Sequence, residues 1–198
     1  EMTDRGLAEV ANPSAAFLSA PADGSAARPP APGTAVVASL EGSRPLLVEV
    51  QALVSTSFYG TPQRVTSGFD GRRLAVLLAV LERRVGLRLG RHDVFVSVTG
   101  GLTLEEPGTD LGVALAVASS FRNRPVLDRT VAVGEVSLSG ELRRVSRLDA
   151  RVREAAQLGF ARIGVPAAQA DEATGGGIEI VPLGTLRQAC EQLLGSRE

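Results

Sequence analysis

The sequence has 198 residues, of which 44% are hydrophobic, enough for one sizeable domain or one domain with a tail. No apolar run approaches the roughly 18 to 20 residues of a membrane span, and no basic-then-apolar leader occurs, so we expect a soluble, cytoplasmic protein. One cysteine and one histidine exclude an internal disulfide and a four-ligand Cys/His zinc site, and no metal site is predicted. The net charge of −1 does not indicate a polyanionic partner, although all 21 basic residues are arginines. The lack of lysine is expected from a high-GC coding bias and is not taken as a functional signal.

The first 33 residues have the character of a connecting tail. Residues 19–33 are rich in Pro, Ala, Gly and Ser, a composition that cannot bury enough apolar surface to fold alone. Before them, Asn12-Pro13-Ser14 and Phe17-Leu18 suggest a short turn with an apolar anchor. The predicted organisation is a connecting tail at 1–33, one domain at 34–194 and a C-terminal tail at 195–198.

The first part of the domain is predicted to be rich in β-structure. Residues 35–40 and 46–54 alternate as strands and should pair antiparallel across a short turn. Arg64-Val65-Thr66 predict a third short strand. Asp70 then caps an amphipathic, half-exposed helix, whose apolar stripe runs from 74 to 85 at helical spacing.

The stretch from Thr99 to Ser120 is the one around which the chain is organised. A strand at 93–98 breaks at Gly100-Gly101, crosses an acidic loop and enters a helix at Asp110. Apolar residues surround that helix on all sides, which predicts a buried central helix. Asp110 is well placed to cap it, which is worth roughly 1 kcal/mol. A polar side chain at the start of a buried helix is also how many α/β enzymes present a nucleophile.

The remaining elements continue an alternating pattern. A strand is predicted at 130–136, followed by a hairpin turn at Ser139-Gly140 and a return strand at 141–145. An amphipathic helix then spans 147–158. The last predicted elements are two strands and a helix, at 163–165, 179–181 and 186–194. This alternation predicts an α/β (α+β) domain with a mixed sheet layered by helices.

Several runs of sequence resemble known families. Those that resemble the proteolytic domain of the Lon family are Gly100-Gly101-Leu102-Thr103, Gly134-Glu135-Val136-Ser137-Leu138-Ser139-Gly140, Ala155-Ala156-Gln157-Leu158-Gly159-Phe160 and Ile163-Gly164-Val165-Pro166. Those that resemble the C-terminal part of the RadA (Sms) family of bacterial DNA-repair proteins are Glu1-Met2-Thr3-Asp4-Arg5-Gly6-Leu7, Asn12-Pro13-Ser14 with Phe17-Leu18, and Arg44-Pro45-Leu46 with Val48-Glu49-Val50-Gln51-Ala52-Leu53. The resemblance implies the Lon proteolytic-domain fold, which is like domain 2 of ribosomal protein S5.

Lon-type hydrolysis uses a serine nucleophile and a lysine base, and the resemblance places other residues at both positions. Asp110 stands where the serine belongs, and Arg151 stands where the lysine belongs. A carboxylate lacks the hydroxyl proton, and an arginine stays protonated and cannot act as a base. Thr109 has a hydroxyl but no evident basic partner, and His92 is expected to be an exposed polar residue. The resemblance therefore implies a degenerate catalytic site.

Two arrangements of these positions are open at this stage. Asp110 and Arg151 could form a residual ion pair with charge-assisted hydrogen bonds. Alternatively, Asp110 only caps its helix while Arg151 pairs with Glu154, three residues further along its own helix. The sequence does not choose between them.

The RadA resemblance implies a non-catalytic scaffold and oligomerisation domain of a DNA-dependent ATPase that drives branch migration of recombination intermediates. The family adds a zinc motif and a RecA-like ATPase domain, so zinc, ATP and Mg²⁺ belong to those parts. This chain has neither a phosphate-binding loop nor a cysteine quartet, and no cofactor is expected in it. The expected partners are further copies in a six-membered ring, DNA, and recombinase-type repair proteins. An active Lon-like peptidase is the alternative, against which the two changed positions argue.

Arginines are the residues predicted to contact DNA and neighbouring subunits. Between residues 64 and 91, seven arginines stand against only Asp70 and Glu82, a local net charge of +5. This excess predicts weak contacts to the DNA backbone without base specificity, and a solvated helix face is the alternative. The predicted DNA-contacting residues are Arg64, Arg72, Arg73, Arg83, Arg84, Arg88 and Arg91. Arg122 and Arg124, which follow the central helix, are the predicted subunit-contact residues.

Overall fold

A seven-stranded mixed sheet lies at the centre of the protein. It is seen in a computed structural model that describes residues 2–3, 6–7, 14, 17–18, 31–58, 60–174 and 176–196. The strands of this sheet and of two small two-stranded sheets are, in chain order, β1 (Met2–Thr3), β2 (Gly6–Leu7), β3 (Thr34–Glu41), β4 (Arg44–Thr56), β5 (Arg64–Ser67), β6 (His92–Val98), β7 (Thr130–Ala132), β8 (Glu135–Val136), β9 (Leu142–Arg143), β10 (Arg162–Pro166) and β11 (Glu179–Leu183). The α-helices are α1 (Gly71–Val80), α2 (Asp110–Arg122), α3 (Leu148–Gln157) and α4 (Leu186–Gln192).

The order of strands in the central sheet is β11-β10-β7-β3-β4-β6-β5. The β3–β4 and β4–β6 pairs are antiparallel, and the other four pairs are parallel. The predicted β3–β4 hairpin is confirmed, and it turns at Gly42, whose φ of +59° favours glycine. The third predicted strand is β5, which lies at the edge of the sheet. The predicted mixed sheet layered by helices is confirmed.

Helix α2 is the buried centre of one helical layer. Every residue from Leu111 to Ala118 is buried, as its all-round apolar composition predicts. The helix lies close to the sheet at Gly112, where an added Cβ would stand 2.1 Å from Cγ1 of Val37. Helices α1 and α4 contribute to the same core, which also holds the single cysteine, Cys190.

Helix α3 contributes to a second core on the opposite face of the sheet. Its stripe of Leu148, Val152 and Ala155 packs with Leu47 of β4 and with buried residues of β3, β7 and β10. Successive residues of β4 point to opposite faces, so Leu47 belongs to this core while Val48 belongs to the α2 core. The amphipathic helix predicted at 147–158 is confirmed, and Ala156 on its apolar side is only half-buried.

Two predicted strands are shorter than expected. The strand predicted at 130–136 divides into β7 and β8 because the chain leaves the sheet at Gly134, whose N–H donates to the carbonyl of Gly108 at 2.8 Å. β8 then pairs with β9 in a separate two-stranded sheet. The return strand expected at 141–145 is therefore reduced to β9.

Helix termini follow the predicted signals in part. Asp70 caps α1 as predicted, accepting a hydrogen bond from the N–H of Arg73 at 2.8 Å. α1 continues into a π-helical turn at Leu81–Val85 that stops at Gly86, where φ is +85°. The last helix ends at Gln192, two residues before the predicted end. None of the described helices is long and apolar enough to cross a membrane.

The predicted tail at 1–33 falls largely outside the described residues, and the predicted domain boundaries stay a prediction. Within its anchor, the hydroxyl of Ser14 accepts from the N–H of Leu47 at 3.1 Å and donates to Glu154 Oε1 at 2.9 Å. The ring of Phe17 lies against Gly100. Leu18 packs on the α3 core.

Candidate functional site

Asp110 is the first residue of α2, and its carboxylate bridges three elements. It is 2% exposed and accepts two hydrogen bonds from the guanidinium of Arg73, Nε to Oδ1 at 2.5 Å and Nη2 to Oδ2 at 2.8 Å. The N–H of Val136 donates to Oδ2 at 3.2 Å. Asp110 has helical backbone angles, and the N-cap position belongs to Thr109. The expectation that Asp110 caps α2 is therefore wrong, because its side chain reaches across to α1 and β8 instead.

Arg151 lies fully buried on the sheet side of α3. Its guanidinium forms a two-pronged ion pair with Glu106, Nη2 to Oε1 at 2.6 Å and Nη1 to Oε2 at 2.8 Å. Nη1 also donates to the carbonyl of Ala38, and Nε donates to the carbonyl of Ser146 at 3.0 Å. Each of the three guanidinium nitrogens therefore donates at least one hydrogen bond within the fold.

Neither predicted arrangement of these two residues is correct. Asp110 pairs with Arg73, and Arg151 pairs with Glu106, so the two do not form an ion pair with each other. Glu154, the alternative partner of Arg151, accepts from Ser14 instead. The acidic loop before α2 was visible in the sequence, but its role as the partner of α3 was not, since 45 residues separate Glu106 from Arg151.

Burial and pairing act against each other on the Asp110 carboxyl. Removal from water raises its pKa, while the hydrogen bonds from Arg73 and Val136 lower it, and the net direction is upward. The same hydrogen bond with Asp110 raises the pKa of Arg73. The negative charge of Glu135 raises the pKa of Asp110 further. Asp110 is therefore one member of a largely desolvated ion pair with Arg73.

The structure places the other two polar residues that the sequence singled out, Thr109 and His92, at opposite ends of α2. The hydroxyl of Thr109 is buried and donates to the carbonyl of Glu106 at 2.8 Å. His92 is half-buried rather than exposed as expected, with its ring edge-on to Phe121 at a centroid distance of 5.1 Å. Beside Arg73 an open groove of about 550 Å³ is lined by Gly68, Phe69, Asp70, Thr103, Leu104 and Glu105.

The structure divides the seven predicted DNA-contacting arginines into two sets. Arg64 donates to the backbone carbonyls of Gln63, Leu89 and His92, Arg73 pairs with Asp110, and Arg84 donates to the carbonyl of Leu138 at 3.3 Å. Within the described ranges, the other four are exposed and make no side-chain hydrogen bond or ion pair. They are Arg72, Arg83, Arg88 and Arg91.

The two predicted subunit-contact arginines also differ from each other. Arg124 donates from Nη2 to the carbonyl of Leu194 at 3.3 Å and from Nε to that of Gly195, which ties the loop after α2 to the C-terminal segment. Arg122 is half-buried at the end of α2. Its positive charge lowers the pKa of Cys190, against the larger effect of burial.

The chain is similar to one family of known proteins and to several individual relatives. Residues 54–169 match the family model described as subunit ChlI of Mg-chelatase. The DNA repair protein RadA of Halalkalibacterium halodurans is 48% identical over 98% of this chain and 42% of its own length. RadA of Bacillus subtilis is 46% identical over the same shares, and RadA of Listeria monocytogenes is 49% identical over 84% of this chain and 35% of its own length.

These relatives are longer than the chain. The chain spans about two fifths of the length of the curated relatives it matches. The predicted RadA resemblance is confirmed, and the family-model match fits the predicted Lon-like fold. The chain therefore belongs to the family described as subunit ChlI of Mg-chelatase, and it is similar over nearly its whole length to bacterial DNA repair proteins named RadA.

Proposed function

We propose that this chain is a non-catalytic, Lon-like scaffold and oligomerisation domain of a RadA-type DNA repair protein that processes recombination intermediates. The observation that carries the proposal is that Asp110 and Arg151, at the two dyad positions, are each held in a buried, two-pronged ion pair with a different partner. Both side chains are structural supports. We call the Asp110–Arg73 and Arg151–Glu106 ion pairs the two struts, and they occupy the positions of a catalytic dyad.

The chemistry of these residues favours support over hydrolysis. Asp110 offers no hydroxyl, and a guanidinium group is a donor that does not serve as a general base. Freeing either side chain for chemistry would leave a buried charge without its partner, which is strongly unfavourable. The Asp110–Arg73 pair joins α2 to α1, and the Arg151–Glu106 pair joins α3 to the loop that precedes α2. Such links between elements suit a rigid building block of an assembly.

In the full-length protein, this domain would help build a ring of six subunits in the cytoplasm. ATP, Mg²⁺ and zinc would bind in the part of the protein that the relatives have and this chain lacks. Arginine is common at subunit interfaces, and among the described residues Arg122 makes no side-chain hydrogen bond, in contrast to Arg124. Recombinase-type repair proteins would meet the assembled ring.

Peptidase activity and molecular mass test this proposal together. The purified full-length protein should leave casein intact and should show a hexamer mass in light scattering. Thr109→Ala is the matched control, because Thr109 directly precedes Asp110 and carries a hydroxyl. Casein cleavage that this variant abolishes would show an active peptidase, and a strictly monomeric mass would remove the oligomerisation role.

A second candidate function is weak contact with the DNA backbone in the assembled ring. It is favoured by Arg72, Arg83, Arg88 and Arg91, whose guanidinium groups are exposed and have no partner among the described residues. Arginine forks onto phosphate oxygens, and a ring repeats each contact. The salt dependence of DNA binding in variants of these residues tests this function.

A further inference from the structure

Half of one sheet face has no described helix over it. On the side away from α2, helix α3 covers β10, β7, β3 and the first part of β4 only. The side chains beyond it form what we name the open sheet face. They are Gln51, Leu53, Ser55, Val65, Ser67, Asp93, Phe95 and Ser97.

An apolar row crosses this open sheet face. Leu53 of β4 lies directly opposite Phe95 of β6, and Phe95 lies beside Val65 of β5, so the three side chains are neighbours on one face. Leu53 is 61% exposed and Val65 is 48% exposed. Large apolar side chains that are aligned across three strands and left in water indicate a contact surface.

The surroundings of the row are poor in charge. Asp93 is the ionisable residue among these side chains, and its carboxylate accepts a hydrogen bond from the N–H of Gln63 at 2.8 Å. Glu49 borders the face beside Gln51, but it is 6% exposed and accepts from Nε2 of Gln51 at 2.7 Å. The chain as a whole is 22% charged. An apolar centre with few charges around it is the composition of the core of a protein interface, and it does not suit a nucleic acid.

The path of the chain indicates what covers this face. Ser14 bonds to Leu47 at the start of β4 and to Glu154 of α3, so the N-terminal segment reaches the domain on the α3 side of the sheet. Leu18 packs on the same side. The β1–β2 hairpin ends at Leu7, seven residues before Ser14, and seven residues span at most about 25 Å, whereas three strands span only about 10 Å. A domain that precedes this hairpin can therefore reach the open sheet face.

We propose that the open sheet face docks the domain that precedes this chain in the full-length protein, through an apolar, uncharged surface of that domain. The relatives have more than half of their length outside the match, which is ample for such a domain. The proposal rests on the proposed function, because it takes this chain as the C-terminal part of a RadA-type protein. The docked row would fix the orientation of the Lon-like domain relative to the rest of the subunit.

Site-specific photo-crosslinking in the full-length protein tests this docking. A benzophenone amino acid at position 53, irradiated and mapped by mass spectrometry, should crosslink to residues that precede this chain. The same amino acid at position 138 is the control, because Leu138 is apolar and 72% exposed but lies off this face. Crosslinks from position 53 to another copy of this domain, to an added protein or to nothing would overturn the proposal.

A second measurement does not need the crosslinker. Leu53→Glu with Val65→Glu should make trypsin release the C-terminal part of the full-length protein several-fold faster, because the docked surfaces separate. Val76→Glu, on the exposed side of α1 at 42% exposure, should leave the release rate unchanged. Equal release rates in all variants would contradict the docking. Such a result would leave the casein and mass measurements as they stand, so the two proposals fail separately.

Discussion

Arg151 is a charge with no exposed surface, and its ion pair with Glu106 is the more buried of the two struts. Arg151→Met removes the partner of Glu106 and the bonds to two backbone carbonyls. We expect the free energy of unfolding to fall by about 3–5 kcal/mol, measured by urea denaturation. Adding Glu106→Gln to this variant should cost much less than Glu106→Gln alone, because the partner charge is already gone.

The control for this prediction lies in the same helix. Arg153→Met breaks an exposed ion pair with Asp149, four residues away, and should hardly change the urea midpoint. Similar losses for Arg151→Met and Arg153→Met would contradict a supporting role for the buried pair.

Asp110 gives a pH dependence with a defined sign. Its pKa is raised in the folded protein, so its contribution to stability is full below the unfolded pKa of about 3.9 and is lost as the pH rises through the folded value. The stability of the natural protein minus that of Asp110→Asn should therefore decrease as the pH rises above about 4. Denaturation at a series of pH values measures this difference, and an increase would contradict the upward direction of the pKa.

Cys190 should be chemically silent in the folded protein. Burial raises its pKa to about 12, so the thiol stays protonated near pH 8 and is shielded from reagents. We expect iodoacetamide to leave the native chain unmodified and to label one thiol per chain after denaturation. Stability linked to this thiol is present below the unfolded pKa, about 8.5, and is lost as the pH rises towards 12. Rapid labelling of the native chain would show that α4 opens readily.

At the scale of elements, the contact of α2 with the sheet depends on Gly112. Alanine is the better helix former by about 1 kcal/mol, yet its Cβ would stand 2.1 Å from Val37. Gly112→Ala should therefore lower the free energy of unfolding by about 1–3 kcal/mol, and adding Val37→Ala should recover part of it. Gly71→Ala, at the start of α1 with its nearest neighbour atom at 3.7 Å, should be neutral or stabilising. Thermal denaturation compares the three variants, and a stabilising Gly112→Ala would be the contradictory result.

The sequence was most informative about which faces of the helices are buried. The all-round apolarity of α2 and the stripe of α3 predicted which residues are buried, because helix periodicity decides the face. The partners of Asp110 and Arg151 were not predictable, since a long arginine side chain reaches partners 37 and 45 residues away. The division of the strand at Gly134 was also missed, because a loop contact and not a propensity breaks it.

At the scale of the whole molecule, the free arginines should govern DNA affinity. Replacing Arg72, Arg83, Arg88 and Arg91 with alanine in the full-length protein should weaken DNA binding and flatten its salt dependence. A matched variant removes four arginines that form surface ion pairs elsewhere, Arg143, Arg144, Arg153 and Arg162. It should bind DNA nearly as the natural protein does. Equal salt slopes for the two variants, measured by fluorescence anisotropy, would assign the first set to solvent or to subunit contacts.

The two ion pairs also set a cost on building a Lon-type dyad in this fold. A serine in place of Asp110 would leave the buried end of the Arg73 pair without its carboxylate, and a lysine in place of Arg151 could not reproduce the two-pronged pair with Glu106. Each single substitution towards such a dyad is expected to lower stability, so the four paired positions would have to change together.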